Sequence, residues 1–159
     1  ELSGTSKGSF YHYFDGKDAL LSTLSSLFDE KYEELTGLLT PEMTAMEQLL
    51  FLNRELFHMI EDSISLDLLA RLYSTQLTTN GEKHLLDHNR IYYKLLRKII
   101  AKGQAEGQLS SRSNVNEMVK LYALCERALL YDWCLCAGEY ALTEYSAKVL
   151  PGFLSSFLP

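Results

Sequence analysis

Residues 115–137 are apolar on more than one side of a helix, and this limits what the rest of the chain can do. Val115, Met118, Val119, Tyr122, Cys125, Leu129 and Trp133 fall on one stripe at three- and four-residue spacing, while Leu121, Leu124, Ala128 and Leu135 lie off it. A helix that is apolar all round must be covered all round. Either it is the central helix of a core, or part of it is buried against a second copy of the chain. The final segment, residues 143–158, carries Tyr145, Val149, Leu150, Phe153, Leu154, Phe157 and Leu158 at the same spacing. Two such helices from each of two subunits would build an antiparallel four-helix bundle. The spacing leaves both readings open; in the second, Leu121, Leu124, Ala128, Leu150, Phe153 and Phe157 are the candidate contacts of a homodimer.

The remaining segments read as further helices. Leu20, Leu24, Leu27, Phe28, Leu35 and Leu38 recur at helical spacing in a long helix opened by Lys17 and ended near Gly37. Thr44-Ala45-Met46-Glu47 reads as a capping box ahead of a helix with Leu49, Leu52, Leu56, Phe57 and Ile60 on its apolar face. Another helix covers residues 63–76, and Thr78-Thr79-Asn80-Gly81 reads as a loop. Leu85, Leu86, Ile91, Tyr92, Leu95, Leu96, Ile99 and Ile100 predict a long helix over residues 82–106, closed by Gly107 as C-cap. Asn114 is the expected N-cap of the 115–137 helix and Gly138 its end. With no alternating strand pattern and no hairpin turn, the expected fold is all-α.

At the other end, Thr5-Ser6-Lys7-Gly8-Ser9-Phe10-Tyr11-His12-Tyr13-Phe14 reads as a short helix with two unlike faces. Ser6 is a good N-cap. Phe10 and Phe14 share one row, while Gly8 and His12, flanked by Ser9 and Tyr11, share the opposite one. Leu2-Ser3-Gly4-Thr5 before it reads as a helix end and a glycine turn, so the whole has a helix-turn-helix arrangement. Gly4 to Phe14, with Lys17, Leu20 and Leu21, resembles the recognition-helix motif of the TetR family of bacterial transcriptional regulators. Thr5 stands where that family usually has Val, and the chain begins at Glu1 without the headpiece's leading helices. Residues 1–16 are accordingly read as the C-terminal part of a helix-turn-helix headpiece, and residues 17–159 as a helical effector-binding and dimerisation domain.

The resemblance implies a ligand-responsive regulator, usually a repressor, that binds a palindromic operator as a homodimer. In that reading Lys7, Gly8, Ser9, Tyr11 and His12 approach bases or phosphates in the major groove, and Tyr13 and Lys17 hold phosphates. It also implies a small-molecule effector site within the helical body. The alternative from another class is a helical ligand-binding or protein-interaction module with no role on DNA.

Charge bears on this reading. The net charge of −6 is unusual for a DNA-binding protein, but Glu1 and Asp15 cancel Lys7 and Lys17, so the excess lies in the body. Three clustered cysteines, Cys125, Cys134 and Cys136, and no secretory signal predict reduced thiols in the cytoplasm. No apolar run is long enough for a membrane span, so no membrane partner is expected.

For the effector site, Phe57, His58, Tyr73, Tyr92, Tyr122 and Trp133 could line an apolar pocket with a few polar handles, although each is also an ordinary core residue. Glu126, inside the apolar helix, either reaches across a dimer, faces the pocket or is exposed. His84 and His88, four apart with Asp87, have metal-ligand spacing but no third ligand. No nucleophile–base pair or phosphate loop stands out, so neither an enzyme nor a cofactor is expected.

Overall fold

The computed structural model describes residues 19–159 in full. The headpiece candidates Lys7, Gly8, Ser9, Tyr11, His12, Tyr13 and Lys17 lie outside the described residues. The helices are α1 (Leu2–Leu38), α2 (Ala45–Ser63), α3 (Leu66–Thr78), α4 (Ile91–Ala105), α5 (Val115–Leu135) and α6 (Leu142–Phe153), with 3₁₀ turns at His84–Leu86 and Leu154–Phe157. Among the described residues there is no strand, and no helix is long and apolar enough to cross a membrane.

Local chemistry starts and stops these helices. At α2 the Glu47 amide donates to Thr44 Oγ1 at 3.2 Å and the Thr44 amide donates to Glu47 Oε2 at 2.7 Å, a complete capping box. Ser65 caps α3, accepting from the Leu68 amide, and Asn114 caps α5, accepting from the Glu117 amide. Helix α4 closes in a Schellman motif. The Gln108 amide donates to the Gly103 carbonyl at 2.8 Å, and Gly107 takes the left-handed position at φ 72°. The same motif ends α5, but Ala137, at φ 52°, occupies the first left-handed position and Gly138 follows it.

The expected helix over residues 82–106 is shorter than its apolar spacing suggested. Residues 79–90 form an irregular connection that holds the 3₁₀ turn, and α4 starts only at Ile91. Asp87 accepts from the Asn89 amide at 2.9 Å, a local side-chain bond that competes with helix. The final helix is also shorter, since Pro151 lacks an amide hydrogen and Gly152 follows it in the last turn of α6.

Helix α5 packs on α3, α4 and α6, and α2 packs on α1, α4 and α6. Leu24, Phe28, Tyr32 and Leu35 of α1 are buried at four-, four- and three-residue spacing against this bundle. Tyr93, Tyr122, Phe57 and Phe157 are the largest fully buried side chains. Glu61 of α2 accepts from the Thr143 amide at 2.6 Å and from its hydroxyl, so a carboxylate of one helix satisfies the first turn of α6.

Candidate functional site

A cavity of about 60 Å³ lies inside the bundle, where α1, α2, α3 and α5 meet the connection that precedes α4. Phe28, Leu56, Ile60, Leu69, Leu72 and Leu130 make its apolar wall. Tyr32, Tyr73 and Tyr92 contribute aromatic faces, and three charged side chains, Glu126, Arg127 and Arg90, also reach it.

Glu126 is 4% exposed. The Tyr92 hydroxyl donates to its Oε1, and Asn53 Nδ2 donates to its Oε2 at 2.8 Å. Asn53 Oδ1 in turn accepts from the Ser146 hydroxyl at 2.6 Å. Four helices thus meet in one buried polar chain: α6 through Ser146, α2 through Asn53, α5 through Glu126 and α4 through Tyr92. Of the positions left open for Glu126 by the sequence, it faces the cavity. Burial raises its pKa above the ordinary carboxylate value, against its hydrogen-bond donors and Arg127, which lower it. Burial and the Glu126 charge also push the Tyr32, Tyr92 and Tyr122 hydroxyls well above their ordinary values, so all three remain protonated donors.

A carboxylate whose pKa is higher in the folded than in the unfolded chain is less costly to bury when protonated. Its contribution is most favourable below the unfolded value and is lost as pH rises through the folded one. Glu126→Gln is therefore expected to gain stability relative to the parent chain as pH rises from about 4.3. Urea unfolding of both proteins across pH 4–8 measures the difference. A constant difference across that range would show that Glu126 titrates as in the unfolded chain.

The connection over residues 79–90 is fastened to the bundle at several points. The Leu85 amide donates to Gln76 Oε1 at 3.0 Å, and the Leu85 carbonyl accepts from the Tyr93 hydroxyl at 2.6 Å. Arg127 Nη1 donates to the same Tyr93 oxygen at 3.0 Å. His84 Nε2 bonds Ser25 Oγ on α1 at 2.7 Å, and burial lowers the His84 pKa. Arg90 Nε and Asp29 Oδ1 are buried here without a hydrogen-bond partner.

Of the residues expected in a pocket, the structure brings Tyr73 and Tyr92 together at the cavity. Tyr122 is buried behind the cavity wall, its hydroxyl beside Glu126 and donating to the Leu49 carbonyl at 2.7 Å. Phe57 is fully buried in the core and does not line the cavity. His58 lies on the exposed face of α2, paired with Asp62 at 3.2 Å, because a position next to a buried one need not share its face. Trp133 sits near the end of α5, away from the cavity, donating to the Tyr140 carbonyl at 2.9 Å. Sequence reasoning missed Tyr32, Asn53, Arg90 and Arg127. Only Asn53 carried a signal, as an amide on the apolar face of α2.

His84 and His88 do not share a helix face. His84 is in the 3₁₀ turn, while His88 lies in the connection with its ring stacked on Tyr93 at 4.5 Å. Among the described residues no three His, Cys, Asp or Glu side chains form a cluster that could hold a metal. Cys125 and Cys134 are held above the ordinary thiol value by burial.

The candidate dimer residues divide in two. Leu124 (52%), Phe153 (51%) and Ala128 are exposed and Leu121 is half-buried, and Tyr131 and Leu135 (67%) extend the apolar stripe along the outside of α5. Leu150 and Phe157 point the other way, into the subunit core, at 1% exposure each. They are core residues rather than contacts, because α6 buries the row holding Leu150 against α2 and α5, and the 3₁₀ turn after it folds Phe157 back inward. Compared with family models, with curated proteins and with solved structures, the chain matches none of them.

Proposed function

We propose that the chain acts as a TetR-like regulator, in which a small molecule bound in the helical body changes the affinity of a homodimer for its operator. The observation that carries this reading is the run Gly4 to Phe14, whose order of small, polar and aromatic residues resembles that family's recognition-helix motif. Two features of the body support it. One is a cavity holding a buried carboxylate and two guanidinium groups. The other is the exposed apolar stripe of Leu124, Ala128, Tyr131 and Leu135 beside Phe153.

A second copy of the chain is the occupant that suits this stripe. A two-fold dimer would present two headpieces to a pseudo-palindromic site, whereas one short recognition helix would bind weakly. The double variant Leu124→Glu, Phe153→Glu is expected to weaken self-association at least about 100-fold, by burying charge in an apolar contact. Analytical ultracentrifugation at micromolar concentration should then give a monomer mass. A parent chain that is already monomeric there would refute the dimer.

Effector binding need only favour one arrangement of the dimer over another by differential affinity. Helix α1 is the natural lever, as it belongs to both headpiece and body. On DNA, Lys17→Ala is expected to weaken binding to all sequences alike and to reduce the salt dependence, whereas His12→Ala also changes sequence preference. Equal effects of both on preference would overturn these roles. The deciding experiment is retardation of the full-length protein's own upstream promoter fragments at low salt. Failure to retard any of them, with a ligand still bound in the body, favours the reading as a binding module with no role on DNA.

A further inference from the structure

We propose that the cavity takes a small amphiphilic anion, a carboxylate on a short apolar body, with its head against Arg90 and Arg127. This rests on reading the cavity as the ligand site of the body. The charged lining decides the sign. Each oxygen of Glu126 already accepts a bond, from Tyr92 and from Asn53, which uses about half of the carboxylate's acceptor positions. Arg90 is in the opposite state, with Nε buried and no acceptor among the described residues. Arg127 uses Nη1 on the Tyr93 hydroxyl and has further donors on the same planar group. A buried donor without an acceptor is costly, and an entering carboxylate would remove that cost with a charge-assisted bond. Asp29, whose Oδ1 is also buried without a partner, lies outside the lining, so within it two guanidinium groups stand against one carboxylate and favour an anion over an organic cation.

The apolar wall sets the other end of the ligand. Phe28, Leu56, Ile60, Leu69, Leu72 and Leu130 offer no polar group, so the body beyond the head must be hydrocarbon or aromatic. A volume of about 60 Å³ holds roughly five water molecules, which corresponds to a ligand of on the order of 150 Å³. That is roughly the size of a four- or five-carbon acid, and too small for a long-chain lipid.

The test compares three probes of one length that differ only in the head: pentanoate, pentanol and pentylammonium. Binding to the parent chain is followed by calorimetry, away from DNA. Pentanoate is expected to bind at least about tenfold more tightly than pentanol, with pentylammonium weakest. Arg90→Gln and, separately, Arg127→Gln are expected to remove that preference for pentanoate over pentanol, with circular dichroism checking that each variant stays folded. Pentylammonium binding as tightly as pentanoate, no binding by any of the three, or an undiminished preference in both variants would each overturn the inference. The same probes are then added to a protein–promoter complex. Pentanoate that binds in an Arg90-dependent way but leaves DNA affinity unchanged keeps this inference and sinks the regulatory reading. Release of DNA by pentylammonium alone does the reverse.

Discussion

Asn53→Leu is expected to destabilise the protein by about 3 kcal/mol, a large effect for a substitution that keeps the side chain's size. The amide stands between two buried groups, with Nδ2 donating to Glu126 and Oδ1 accepting from Ser146. A leucine there leaves a carboxylate oxygen without one of its donors and a hydroxyl without its acceptor. Groups stranded in this way cost about 1–3 kcal/mol each, and more when charged. Urea unfolding followed by circular dichroism measures the loss. Combining Asn53→Leu with Glu126→Leu should cost at least about 1 kcal/mol less than the sum of the single changes, because the second removes the group that the first strands. Strict additivity would mean that the two side chains do not interact.

Gly103→Leu is expected to cost at least about 3 kcal/mol, lowering the melting temperature on the order of 10 °C. A Cβ at this position would sit 2.6 Å from Ala45 Cβ and 2.8 Å from Leu109 Cδ1. Ala45 Cβ is fixed to the backbone at the start of α2, so no flexible end is available to yield, and the two helices must move apart. Gly103→Ala separates the opposing effects. Alanine raises intrinsic helix preference by about 1 kcal/mol, while overpacking costs about 1–3 kcal/mol. The alanine variant should therefore melt below the parent. A higher melting temperature would show that α2 and α4 separate at little cost.

What could be read from the letters alone was whatever is decided by near neighbours in the chain. Thr44 with Glu47, Asn114 before Val115 and Gly107 after α4 all take the capping roles their spacing implied. The connection over residues 79–90 could not be read in the same way. Leu85 and Leu86 continue the helical spacing, yet Leu85 lines the cavity from a 3₁₀ turn, held there by side chains of the flanking helices, Gln76 on α3 and Tyr93 on α4, whose orientation the tertiary packing sets. The candidate site shows the same division. Periodicity put Tyr73, Tyr92 and Tyr122 on apolar faces correctly, but whether such a face meets a void or another side chain depends on the helix opposite. Trp133 and Tyr92 look alike in sequence, and only one of them reaches the cavity. Leu150 and Phe153, three apart on α6, end up on opposite sides of the boundary between interior and surface.

The bond between Glu61 and the first turn of α6 has a mechanical consequence. Sliding α6 along α2 would strip the Thr143 amide and hydroxyl of their acceptor and leave the helix start bare, so the two rods travel as one rigid plate. Widening of the void then falls to the walls outside that plate, α1, α3, α5 and the strap of residues 79–90. Its fastenings to Gln76, Tyr93 and Ser25 are single hydrogen bonds that water can replace one at a time.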